Sequence, residues 1–147
     1  MRIVVVEDNE LYRDDLLQCL EQEETDIEIM GSASNGVEGL ALVEKLVREN
    51  IAPDVIFTDI RMPKMDGFEM IEVLQKRKIS CKIVITSSCP EFLYAKRAME
   101  LGAVDFLVKP LKTYEVRNVL RRLRRELENE KKWKHILNLD YIFPNAM

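Results

Sequence analysis

Histidine occurs once in the 147 residues, at His135, and cysteine three times, at Cys19, Cys81 and Cys89. The cysteines are odd in number and none stands in a CxxC pair, which argues against a disulfide framework or a zinc site; they read as small buried thiols. The lone histidine lies in a charged tail far along the chain from any of them, so no Cys–His catalytic pair is expected and His135 reads as solvated surface. No apolar run approaches the roughly 18 residues of a membrane span. The short run Met1 to Val6 meets Glu7 and Asp8 at once and does not read as a signal peptide, so the expected location is cytoplasmic. A basic excess is missing as well: the net charge is −4, without the general pull toward nucleic acid that a basic domain exerts. Internal repeats and low-complexity tracts are absent from the sequence.

What is present is the composition of one folded core, 47% hydrophobic and 33% charged, in a chain too short for two domains of ordinary size. Apolar runs of strand length occur at Ile3 to Val6, Ile27 to Ala33, Val55 to Thr58, Ile83 to Thr86 and Val104 to Val108. Between and after them the apolar residues recur at helical spacing. The first helical face is Leu11, Leu16, Leu17 and Leu20, and the second is Val37, Leu40, Ala41, Val43 and Leu46. Met70, Ile71, Val73 and Leu74 form the third, and Phe92, Ala95, Ala98, Met99 and Leu101 the fourth. The last begins near Thr113 and carries Val116, Val119, Leu120, Leu123 and Leu127. Strands alternating with helices predict βαβ units with right-handed crossovers, hence helices on both faces of a parallel sheet. Unbroken apolar strands fit, because a central parallel strand is buried on both sides. The expected fold is α/β, a doubly wound sheet of five parallel strands in the flavodoxin-like order 2-1-3-4-5.

The stretch VIFTDIRMPKMDG, residues 55–67, runs an apolar strand directly into Asp59. An ionised carboxylate is costly where water is scarce unless a cation meets it. In such sheets ligands bind beyond the carboxyl ends of the strands, where the strand order reverses. That places Glu7 and Asp8, at the end of the first strand, beside Asp59 at the end of the third. Unpaired, the three acids would raise one another's pKa and strain the fold. A hard divalent cation removes that penalty, and few protein ligands with several waters is the habit of Mg²⁺. Lys109 ends the fifth strand at the same edge and is a compact point charge suited to a phosphoryl group. Pro63 and Gly67 are turn residues that let the chain leave Asp59 and begin the third helix, and Met62, Met65 and Met70 read as packing around that turn. A cis peptide is expected between Lys109 and Pro110.

VVVEDN near the start, TDIRMPKMDG after the third strand and LGAVDFLVKP at the fifth resemble the receiver domains of two-component response regulators over residues 2 to about 125. The resemblance implies that Asp59 is a carboxylate nucleophile, taking a phosphoryl group from a sensor histidine kinase to give an aspartyl phosphate. It implies that Glu7, Asp8, Asp59 and the backbone carbonyl of Arg61 hold Mg²⁺, and that Lys109 meets the phosphoryl group. A hydroxyl donor belongs near the end of the fourth strand, and counting back from the turn at Gly102 and Ala103 selects Ser87 over Thr86. Phe106 occupies the place of an aromatic that changes rotamer when that hydroxyl moves, although it lacks a phenolic OH. The expected output is a change of shape at the fourth helix, fifth strand and fifth helix rather than turnover by an enzyme.

Two other classes fit less well. Dehalogenase-like phosphatases carry a second Asp two positions after the nucleophile, where this chain has Arg61, and a flavin-binding module needs a Ser, Thr and Gly-rich loop where this chain has Glu7, Asp8, Asn9 and Glu10. Residues Glu91 to Ala95 resemble the start of the fourth helix in receivers joined to AraC-type DNA-binding domains. Residues 1–125 are therefore expected to form the receiver and residues 126–147 a charged helical extension or linker. Lys and Arg outnumber Glu over residues 121–135, and Val116, Leu120, Leu123 and Leu127 follow heptad spacing, which allows a plain fifth helix or a dimer-forming extension. The expected partners are the kinase and a second copy through the fourth-helix to fifth-helix face. DNA is expected to be reached only through an output domain that this chain lacks, and a stand-alone receiver working through a partner protein is the alternative.

Overall fold

A computed structural model of the chain describes residues 1–23 and 26–137. Its elements alternate as β1 (Arg2–Val6), α1 (Glu10–Gln22), β2 (Glu28–Ala33), α2 (Gly36–Arg48), β3 (Val55–Asp59), α3 (Gly67–Lys76), β4 (Lys82–Ser87), α4 (Phe92–Glu100), β5 (Asp105–Val108) and α5 (Thr113–Leu137). All strand pairs are parallel and the order is β2-β1-β3-β4-β5, the expected doubly wound arrangement.

Side-chain alternation along each strand divides the interior into two cores. Val4, Val6, Ile56, Ile83 and Ile85 meet α2, α3 and α4 through Leu40, Val43, Met70, Leu74 and Ala98. Ile3, Val5, Val55, Phe57, Val84 and Leu107 face the other way, against Leu16 and Leu20 of α1 and Val116, Val119, Leu120 and Leu123 of α5. The unbroken apolar strands are thus explained by burial on both faces.

Three of the helix starts, those of α1, α2 and α3, are fixed by short polar side chains. Asn9 accepts from the Tyr12 amide at 3.0 Å and Asn35 from the Glu38 amide at 2.9 Å. Asp66 and Glu69 form a reciprocal capping box on α3. At the close approach behind β3, a Cβ on Gly67 would lie 2.1 Å from the Asp59 carbonyl oxygen, so no larger residue fits there.

Several expected core residues are exposed. Leu11, Val37 and Phe92 lie in the first turns of α1, α2 and α4 on the solvent side, while in the first two of these turns Tyr12 meets Lys109 and Gly36 meets Met65. Ala41 and Met99 face solvent because each sits about 100° round the helix from a buried neighbour, Leu40 and Ala98. The three cysteines are free and half-buried rather than buried, since each borders a surface depression. His135 is exposed on α5. The last helix is continuous from Thr113 to Leu137 across the expected 125/126 boundary, and residues 138–147 of the expected extension lie outside the described residues.

Candidate functional site

The parallel register brings the ends of β1, β3, β4 and β5 to one edge. One carboxylate oxygen from each of Glu7, Asp8 and Asp59 lies within 4.8 Å of the others. Lys109 reaches the same point from β5: its Nζ donates to Asp59 Oδ2 at 3.0 Å and forms an ion pair with Glu7. The Lys109–Pro110 peptide is cis. An open cleft of about 220 Å³ lies over this cluster, bordered by Asp8, Asp59, Arg61, Ser87 and Lys109.

Burial pushes the Glu7 carboxyl up to about 7, a rise that its hydrogen bonds to Lys109 and the Asn9 amide only partly oppose. For Lys109, burial alone would lower the pKa; its bonds to Glu7 and Asp59 outweigh that and hold it above the ordinary value. The ammonium therefore remains a fixed positive charge at neutral pH. Asp59 Oδ1 accepts from the Ile60 amide at 2.7 Å, which leaves its carboxylate held at both oxygens.

The donor set suits a hard divalent cation. It is all oxygen, it is uncompensated apart from Lys109, and Asp8 is exposed so that water can complete a coordination shell. Among the described residues, no backbone amide donates to the Arg61 carbonyl outside regular elements, so that oxygen is also free to serve.

Alternation along β4 separates the two hydroxyl residues. Thr86 follows Val84 and borders a small pocket with Leu16 and Cys19 under α1, whereas Ser87 borders the cleft with Asp59. Ser87 Oγ accepts from the Cys89 amide at 3.0 Å, turned toward its own loop. Phe106 is not in the cleft. It pairs in register with Ile85 and packs, half-buried, on the α4 side of the sheet.

Three neighbours were not singled out from sequence. Tyr12 lies under Lys109, whose Nζ is 4.6 Å from the ring centroid. Asn9 both caps α1 and donates its amide to Glu7 at 3.1 Å. Tyr94 on α4 accepts from the Arg61 side chain. Only Asn9 carried a signal, as a capping residue directly after the acidic pair.

The family model for the response regulator receiver domain matches residues 3–121. The chain belongs to that family. Among curated relatives of this receiver domain, the transcriptional regulatory protein BtsR of Escherichia coli is 38% identical over 126 residues, covering 86% of this chain and 49% of that protein. The uncharacterized transcriptional regulatory protein YesN of Bacillus subtilis is 30% identical over 146 residues, covering 96% of this chain and 38% of that protein. The chain thus spans about half the length of BtsR, and less of YesN. Among solved structures, the receiver domain of AraT from Geobacillus stearothermophilus superposes with a TM-score of 0.76 at 27% identity, covering 88% of this chain and 97% of that one. The response regulatory domain of MrkE from Klebsiella pneumoniae gives a TM-score of 0.74 at 29% identity, covering 88% and 99%. Receiver domains accept a phosphoryl group on an aspartate, bind Mg²⁺ at an acidic pocket and interact with histidine kinases, and no helix among the described residues is long and apolar enough to cross a membrane.

Proposed function

We propose that Asp59 is the phosphoacceptor of this receiver domain and that Glu7, Asp8, Asp59 and the Arg61 carbonyl hold Mg²⁺ beside it. The observation that carries this reading is the Asp59 carboxylate at the end of β3, with Lys109 Nζ 3.0 Å from Oδ2 and two further carboxylates within 4.8 Å. An Asp59 oxygen forms a new bond to phosphorus while the donor's bond to phosphorus breaks and the leaving group departs with that electron pair. With a sensor histidine kinase the broken bond is N–P; with an acyl phosphate it is O–P. Bound Mg²⁺ supplies positive charge that offsets the phosphoryl oxygens in transit. Lys109 stabilises the same oxygens and is already in position, which avoids reorganisation during transfer.

The product carries about two negative charges at Asp59 where there was one. That change draws Ser87 away from the Cys89 amide and toward the phosphoryl oxygens, and Phe106, on the same sheet face, follows into the space released. Because Phe106 has no hydroxyl, it acts in this switch by volume alone. Residues 1–125 form the receiver unit on this reading, and residues 126–147 a charged extension that α5 begins, running on to Leu137. The relatives BtsR and YesN, named as transcriptional regulators, support transcription as the output and the cytoplasm as the location. On this reading the receiver acts by switching shape, and DNA is contacted through an output domain of the kind that the regulators BtsR and YesN suggest. A second copy associates through the face made by α4 and α5, where Phe92, Leu93, Met99 and Tyr114 are exposed.

The test is intact-mass measurement after incubation with Mg²⁺ and acetyl phosphate. One phosphoryl group is expected on the unaltered chain and none on Asp59→Asn. A mass gain that survives the substitution moves the phosphoacceptor elsewhere.

A further inference from the structure

Arg61 stands two residues past Asp59, and its side chain is engaged away from the acids. Its Nε and Nη2 donate to the Tyr94 hydroxyl at 2.9 and 2.7 Å, and its Cζ lies 5.3 Å from the centre of the Tyr94 ring. Tyr94 in turn packs edge-on against Phe68 of α3, with ring centroids 6.0 Å apart. Little else secures this end of α4. No side chain caps it, and Ala98 is its one fully buried residue. The polar ties from α3 reach the far end instead, as the Arg97–Glu72 ion pair and a hydrogen bond from Gln75 to the Leu101 carbonyl at 2.6 Å.

We propose that the Arg61–Tyr94 pair is a charge-operated latch, closed on α4 while Asp59 is unmodified and opened when the Arg61 guanidinium transfers to the phosphoryl group on Asp59. The inference rests on Asp59 being the phosphoacceptor. Its driving force is a difference between two acceptors. A neutral phenol oxygen at the surface offers a modest hydrogen bond, whereas a dianionic phosphoryl group offers charge-assisted, bidentate contact to the same fork of donors. Arg61 and Asp59 border the same cleft and Tyr94 does not line it, so the change of partner turns the side chain from α4 into the cleft. The backbone of Arg61 stays in place and its carbonyl remains available to the cation.

Opening the latch frees the first turn of α4, where Phe92 and Leu93 are exposed, while the Glu72 and Gln75 contacts keep the far end attached. The helix pivots rather than detaches. This route from the phosphorylation site to α4 needs no hydroxyl on Phe106.

Hydrogen exchange of the α4 amides, followed with and without Mg²⁺ and acetyl phosphate, tests the latch. Intact mass reports phosphorylation in parallel. In the unmodified chain, phosphorylation is expected to speed exchange in the Tyr94 to Ala98 amides at least about fivefold, the factor that corresponds to losing one of the two hydrogen bonds. Tyr94→Phe keeps the ring on Phe68 and removes only the acceptor. It and Arg61→Ala are each expected to show the fast exchange before phosphorylation, and the double variant is expected to be no faster than either. Arg61→Lys, which retains a cation with a single donor, should fall between. Equal exchange in the unmodified chain and in Tyr94→Phe, both unphosphorylated, overturns the latch whatever the mass shows. Absence of a mass gain on the unmodified chain overturns the phosphoacceptor reading on which the latch depends.

Discussion

Helices α3 and α4 are nearly equal in length, 10 and 9 residues, and start from neighbouring strand ends, yet they are held very differently. A capping box closes the start of α3, and Gly67, Met70, Ile71 and Leu74 are buried along it. For α4 there is no side-chain cap and one buried residue, while Phe92, Leu93 and Met99 are 78%, 70% and 71% exposed. The tight helix is the one whose first residue presses on the Asp59 carbonyl, where any movement would disturb the acids. Among the described residues, the loose helix hydrogen-bonds to the same loop through Arg61 and Tyr94. Elements that move in switching come from the weakly held end of a structure's stability range. The contrast therefore separates a region built to keep its geometry from one built to change it.

Core truncation should produce the widest separation between the two. Met70→Ala empties a fully buried site beneath α3 and should lower stability in a urea melt by about 2–5 kcal/mol. Met99→Ala, on the solvent side of α4, should stay within about 0.5 kcal/mol. Similar losses at the two positions would erase the contrast.

The anchored region also contains Glu7, whose carboxyl is raised from 4.5 to about 7 by burial. A raised carboxyl favours the folded state most below its unfolded pKa, and that contribution is lost as pH rises through the folded value. In the metal-free chain, stability attributable to Glu7 should thus decline between pH 4.5 and about 7, by up to about 3 kcal/mol. Lys109 is raised too, but its contribution is lost only above the ordinary lysine range and does not enter this window. Melts of the unaltered chain and Glu7→Gln as a function of pH should diverge over that interval and nowhere else. Mg²⁺ requires the ionised acid, so its affinity should climb toward pH 7, by at most about tenfold per pH unit, and then level off. A flat difference curve would mean that Glu7 is ionised throughout.

Removing caps should give a smaller contrast. Asp66→Ala breaks the capping box on α3 and should cost about 1 kcal/mol. Glu91→Ala at the equivalent place on α4, where the side chain makes no capping bond, should be close to neutral by the same melt. A cost at Glu91 matching that at Asp66 would show that the start of α4 is secured after all.

The site was legible in the sequence to the extent that chemistry sits at strand ends. Glu7, Asp8, Asp59 and Lys109 each directly follow or close an apolar run, and in a parallel sheet every such end faces the same edge. Choosing Ser87 over Thr86 rested on a count, while the structure separates them by side-chain alternation across β4. Tyr12 was not legible. Nothing local to it indicates that its ring will lie beneath an ammonium from a strand 97 positions later, counting from Tyr12 to Lys109.

By itself the sequence determined the element order, the parallel sheet and the gathering of the acids, because apolar periodicity and strand-end polarity are properties of short stretches. Tertiary structure decided which parts of each apolar stripe are covered. Leu16 and Leu20 are buried while Leu11, on the stripe read with them, is 76% exposed, and it is its neighbour Tyr12 that meets Lys109. It decided equally that Arg61, read as an obstacle to phosphatase chemistry, would reach Tyr94 across 33 positions of chain. A helical period specifies a direction around one axis; what lies in that direction depends on where the other elements end.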